Sequence, residues 1–215
     1  CPNPLFRFDI GALQMTKRHT FFGWTLALGF VLAAPAASAA PDAEAARLMK
    51  KRDSERYEVK TAHSSTKAGA ARVHVAAPLK VVKKVVEDFR HYDEFIKKFD
   101  KAKVVGRNGD KTDVYLQVPI MKGAAKVWAV VRFGPMKKVG NEHVLTGHMI
   151  KGNVKRMDAT WRLKAIDEDD TQLDLELLIL PKIPVPGSLV TGEVAYAADT
   201  AVMGSRNRAE KKHKK

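Results

Sequence analysis

In Met157-Asp158-Ala159-Thr160-Trp161-Arg162-Leu163-Lys164-Ala165 the apolar residues take the odd positions and the polar ones the even. Strict alternation marks a β-strand with one dry and one wet face, because successive side chains point to opposite sides. The same parity returns in Leu173-Asp174-Leu175-Glu176-Leu177, after the acidic turn Asp167-Glu168-Asp169-Asp170. Two such neighbours predict a curved antiparallel sheet covered on one side only. Trp161 and Leu175 then face the covered side, and something apolar must fill it.

The candidate filler follows directly. Pro184-Val185-Pro186-Gly187-Ser188 leads into a helix whose Leu189, Val190, Val194, Ala197, Ala201 and Val202 are expected inward. Working back towards the N-terminus, Glu142 to Ile150 and Lys126 to Phe133 read as strands around a Gly140-Asn141 turn, with Gly152-Asn153 before the next strand. Val114 to Val118 and Val104-Val105 flank Asn108-Gly109, a pair suited to a tight hairpin. Ala71-Arg72-Val73-His74-Val75 alternates as a strand, and Ala77-Pro78 opens a helix. That helix carries Val81, Val82, Val85, Val86 and Phe89 along one stripe. A second short helix carries Tyr92, Phe95, Ile96 and Phe99. Residues 41–67, polar and Ala-rich with crowded charges, read as a linker or short exposed helix.

The order strand, two helices, several antiparallel strands and a long final helix resembles the START-like helix-grip superfamily, the group of polyketide cyclases/dehydrases and lipid transport proteins. The residues that carry the resemblance are Ala76-Ala77-Pro78 with Val81-Val82, and Asp88-Phe89-Arg90-His91-Tyr92. Farther on come Gly152, Trp161-Arg162-Leu163, Thr171 with Leu173, Pro181 to Pro186, and Arg206-Asn207-Arg208-Ala209-Glu210. The resemblance implies an α+β fold with a curved antiparallel sheet wrapped around the C-terminal helix. It also implies an apolar tunnel for a lipid, sterol, quinone or polyketide-like molecule. The positions that would line it are Phe89, Phe95, Leu116, Val118, Val131, Phe133, Met157, Trp161, Leu163, Leu175, Leu177, Val194, Ala197 and Ala201. Inward alternation is the same whether side chains or a ligand fill the space; Ala195, Ala197, Ala198 and Ala201 favour space, being too small to fill a wide gap.

Residues 15–40 have the three parts of a secretory signal peptide: the basic head Met15-Thr16-Lys17-Arg18-His19, an apolar run from Phe21 to Leu32, and Ala-rich small residues ending Ala37-Ser38-Ala39-Ala40. The run is short of the roughly 20 residues that span a bilayer, and Pro35 suits cleavage better than anchoring. The expected organisation is an upstream extension at 1–14, the signal peptide at 15–39, a polar linker or short helix at 40–67, the START-like domain at 68–210 and a basic tail at 211–215. The expected location is periplasmic or secreted. Cys1 is the single cysteine, so no intramolecular disulfide is expected.

The chain holds 38 Lys plus Arg against 24 Asp plus Glu; residues 1–39 contribute three and one of these, which leaves an excess of +12 beyond them. Six basic side chains and one acidic one fall in residues 206–215. Such a tail suits an anionic membrane surface, while export argues against nucleic acid. No catalytic elbow, zinc motif or phosphate loop is present, and no metal or cofactor is expected. His143 and His148, five apart on one strand, point to opposite faces. His148, Tyr115 and Arg132 are the candidates for acid/base groups within a tunnel.

These readings favour a non-catalytic carrier for a hydrophobic small molecule, with the oligomeric state left open. The alternatives are a cyclase/dehydratase-type enzyme on a hydrophobic substrate, and a basic envelope-surface module without a ligand. Cell fractionation should find a mature species whose N-terminus lies at or beside Ala40; an intact N-terminus pelleting with membranes would instead identify the apolar run as an anchor.

Overall fold

The alternating segments pair side by side in one sheet. A computed structural model describes residues 42–62, 64–120 and 125–215; the expected extension at 1–14 and signal peptide at 15–39 lie outside the described residues. In chain order the elements are α1 (Ala43–Lys51), β1 (Glu55–Thr61), β2 (Ser64–Val75), α2 (Leu79–Val86), a 3-10 turn (Phe89–His91) and α3 (Tyr92–Phe95). They continue with β3 (Lys101–Asn108), β4 (Lys111–Ile120), β5 (Ala125–Phe133), β6 (Lys137–Val139), β7 (Glu142–Gly152), β8 (Arg156–Ala165), β9 (Thr171–Leu180) and α4 (Gly187–His213). The sheet runs β1-β2-β9-β8-β7-β5-β4-β3, with β6 added to β7, and all its pairings are antiparallel.

Register turns the sequence alternation into one continuous inner face. Trp161 stands opposite Leu175 and Leu163 opposite Leu173, and β2 adds Val73 opposite Leu173 and Ala71 opposite Leu175. All six are buried. The helix α4 lies on this face against β2 and β9, which is the α+β helix-grip arrangement. Helix α2 buries Val82, Val85 and Val86 and stops there, so Phe89 reaches the core from the 3-10 turn, its ring stacked 4.7 Å from that of Phe133. Tyr92 is buried beside them; its hydroxyl donates to the Val86 carbonyl, and burial pushes its phenol above the ordinary range.

Two glycines set the position of α4. A Cβ on Gly69 of β2 would stand 2.2 Å from the Ala195 nitrogen, and one on Gly204 would stand 2.2 Å from the Phe95 carbonyl oxygen. Backbone thus meets backbone on both sides of the helix, which no larger residue permits. The buried stripe of α4 is Thr191, Val194, Ala195, Ala198, Ala201, Val202, Ser205 and Ala209. Leu189, expected inward, is 63% exposed: two residues turn a helix by about 200°, so Leu189 faces away from Thr191. Val190 and Ala197 are half-buried at the flanks of the stripe.

Two further expectations are corrected. Residues 40–67 contain the expected short helix, α1, but also β1 and the start of β2. In β1 the charged Arg56, Glu58 and Lys60 point to solvent, the usual protection of an edge strand, and this made the segment read as linker. The sheet is also not bare on its outer side. Asp42 caps α1 by accepting from the Ala45 N–H at 2.8 Å, and Ala45 and Leu48 are buried as α1 packs over β2. Gln172 and Asp174, on the nominally wet face of β9, are consequently buried.

Gly69→Ala should cost about 1–3 kcal/mol in urea unfolding, because the added methyl forces strand and helix apart. Trp161→Ala should cost about 3–5 kcal/mol in urea unfolding, since its ring is buried in the core cluster; a smaller loss would mean that the ring borders empty space, and none at all would reverse the register of β8.

Candidate ligand-binding site

The inner face of the sheet divides into a filled end and an end, the open end, whose inward side chains are less completely buried. The filled end lies where the 3-10 turn enters: Phe89, Val114, Val131, Phe133, Leu145 and Leu163 are all buried in one cluster. The other end carries the connection from β9 into α4. There Val118 stands opposite Val127, and Leu177 and Ile179 stand opposite Ala159 and Met157. Register and the burial of their partners place these side chains on the inner face, yet Val118, Val127, Leu177 and Ile179 are only half-buried. Ala197 of α4 and Phe99 are half-buried too. Val127, Leu177, Ile179 and Phe99 pack against the buried cluster while staying partly reached by water, which makes this end of the inner face the candidate place for a hydrophobic ligand.

The expected lining residues divide accordingly. Phe89, Leu116, Val131, Phe133, Met157, Trp161, Leu163, Leu175 and Ala201 come together in the buried cluster, and Phe95 and Leu177 pack against it half-buried. Val118 and Ala197 belong to the open end, while Val194 is buried where α4 meets Gly69. Val127, Ile179 and Phe99 complete the open end without having been singled out; the parity of β5 and β9, carried one pair further, identifies the first two. A separate cleft of about 500 Å³ opens beside the filled end. Its lining includes buried Phe89 and Leu145 together with the exposed charges of Glu87, Arg90, Arg107 and Asp110.

The three acid/base candidates face the other way. His148 stands opposite Arg132 on β5 and Asp158 on β8, and these positions alternate with the inward Val131, Phe133, Met157 and Ala159. Arg132 donates through Nε and Nη2 to the two carboxylate oxygens of Asp113, both at 2.7 Å. This ion pair holds the Asp113 carboxyl below the usual range. The Tyr115 hydroxyl donates to Gln117 Oε1 at 2.8 Å. All three therefore lie on the outer face. The second polar concentration also lies outside, under α1. Arg72 lies 3.1 Å from Asp174 and also pairs with Glu44. Tyr57 donates its hydroxyl to Asp174 at 3.1 Å, and Gln172 donates to Glu44 and Asp174 at 2.8 and 2.9 Å. Burial raises the Asp174 carboxyl above its ordinary value despite these donors.

The sequence model of the family described as polyketide cyclase / dehydrase and lipid transport matches residues 75–201, more than half of the chain. The chain belongs to this family. Its fold is that of START-like proteins. A STAR-related lipid transfer protein from Xanthomonas axonopodis superposes with a TM-score of 0.62 at 15% identity, over 73% of this chain and 93% of that one. The lipid transfer and protein localization domain of human StarD13 gives 0.60 at 19% identity, over 73% and 84%. The Zhui aromatase/cyclase from Streptomyces sp. R1128 gives 0.52 at 15% identity, over 75% and 94%. At these identities the likeness is one of fold. No curated protein matches the chain significantly. The family assignment supports a hydrophobic ligand-binding or cyclase-type domain, and the inner face at the open end is where its apolar surface meets water.

With His148 and Tyr115 on the outer face, His148→Ala and Tyr115→Phe should leave the affinity for a fluorescent fatty acid unchanged in direct titration. A marked loss in either variant would place that side chain in the site after all.

Proposed function

We propose that this family member is an exported, non-catalytic carrier that holds a hydrophobic small molecule between the sheet and α4. One observation carries the reading: the inward apolar side chains Val118, Val127, Leu177 and Ile179 are only half-buried at one end of the grip. Covering them with a ligand yields about 25 cal/mol for each Å² of apolar surface removed from water. That gain drives binding once the costs of immobilising the ligand are met. The family description and START-like fold support the same class of molecule. Export is supported by the three-part pattern at residues 15–39. The outward placement of His148, Tyr115 and Arg132 favours carriage over cyclisation, since none of the three faces the open end.

The test is a titration of a fluorescent fatty acid, a sterol and a quinone analogue, with recovery of the ligand after release. At least one should bind the parent chain and return chemically unchanged. Ala197→Phe, at the flank of α4 beside the opening, should lower that affinity about tenfold while the fold survives. If none binds and Ala197→Phe destabilises by about 1–3 kcal/mol, as in an overpacked core, the space is filled and the carrier reading fails. A ligand returned chemically altered would favour the cyclase-type enzyme instead.

A further inference from the structure

Large apolar side chains held in water mark a surface that something else covers when they are grouped and not scattered. Ile183 is 69% exposed, Leu189 63% and Val185 38%, and the three follow one another through the connection from β9 into the first turn of α4. Pro181, Pro184 and Pro186 interrupt this run and fix the local backbone angles, which limits its freedom to fold the side chains onto the core.

The surroundings are basic. The strand order brings the β7–β8 turn and the α3–β3 connection to the same end of the sheet as this segment. The Lys155 N–H donates to the Leu180 carbonyl at 2.8 Å, and Lys182 Nζ donates to the Gly152 carbonyl at 3.4 Å. Lys97, Lys151, Lys155 and Lys182 are exposed at this end. Lys98 lies 4.4 Å over the ring of Tyr196, itself 44% exposed. Two other lysines at this end are neutralised, Lys67 by Glu58 and Lys126 by Asp100. Among the described residues the first five have no carboxylate within ion-pair distance.

We propose that this end of the molecule docks on an anionic phospholipid bilayer, with Ile183, Val185 and Leu189 entering the interface. Apolar tips among uncompensated ammonium groups complement such a bilayer: the acyl boundary takes the tips and the phosphates take the lysines. An acidic protein would satisfy the lysines but leave the apolar tips without a matching surface. The docking surface itself stands on exposure and charge. Its use rests on the carrier reading, because the half-buried apolar side chains Val118 and Ile179 lie at the same end and would be presented to the lipid.

The experiment uses the full chain with phosphatidylcholine vesicles, with and without phosphatidylglycerol. Ile183→Trp adds a reporter whose emission is read against the parent chain, so that the native tryptophans and the apolar run at 21–32 cancel. The added emission should be quenched by brominated acyl chains, and only when phosphatidylglycerol is present. Replacing Ile183 and Leu189 together by Asp should weaken vesicle binding by about tenfold or more. Replacing Lys155 and Lys182 by Glu should weaken it as well. The fatty-acid affinity of the same Asp variant, measured without vesicles, should match the parent and shows that the fold is intact. Added emission from the Ile183→Trp chain that stays unquenched, or Asp and parent forms that bind vesicles equally, overturns the proposal, as does capture of an acidic protein by a chain that ignores vesicles. Quenching with no fatty acid, sterol or quinone bound in solution would support the docking surface and count against the carrier reading alone.

Discussion

The contact of the β2 backbone at Gly69 with the α4 backbone at Val194 and Ala195 is the constraint on which the rest of the structure depends. A helix held that closely to one strand cannot also cover the far half of a curved sheet. The same 27-residue helix is fixed from the other side by α3 at Gly204, so its position is set by backbone, which cannot change rotamer to accommodate a shift. Burial is uneven in the interior: the end near Phe89 and Phe133 is buried, and Val118 and Ile179 at the other end are half-buried.

The strands that receive α4 are supported from behind. Helix α1 lies over the outer face of β2, and Arg72, Asp174, Gln172, Tyr57 and Glu44 form a connected polar cluster beneath and beside it. Burying such groups is costly unless they are paired, and here most of them are, although Arg72 Nε and Gln172 Oε1 are buried without a hydrogen-bond partner among the described residues. Arg72 also stacks 4.2 Å over the Tyr57 ring, which ties β1 to β2. The strands beneath α4 are therefore packed on both faces, while α4 packs chiefly on β2 and β9 rather than on β3, β4 and β5.

Chemistry is distributed along the same axis. The open end is apolar within, at Val118, Val127 and Ile179, and basic around its rim, at Lys97, Lys151, Lys155 and Lys182. At the filled end the neighbouring cleft mixes the acidic Glu87 and Asp110 with the basic Arg90 and Arg107. The outer face carries cross-strand ion pairs such as Arg132 with Asp113, which stabilise the sheet but do not reach its interior.

Much of this was legible in residue order. The parity of Met157 to Ala165 and of Leu173 to Leu177 determined two paired strands, their inner faces and the need for an apolar cover, because a two-residue period admits only one assignment of faces. The valine stripe after Pro78 and the turns at Gly109 and Gly140 were equally local. The class of function was legible through the family likeness. What only the tertiary structure decided were matters of contact between distant segments. β1 is a strand because β2 accepts its hydrogen bonds, although its charges read as linker. Leu189 is exposed because α4 turns its other face to β2. Gln172 and Asp174 are buried because α1 crosses the outer face. α4 lies against β2 because Gly69 lets the two backbones meet. Local periodicity specifies which way a side chain points, and only packing decides whether anything stands there.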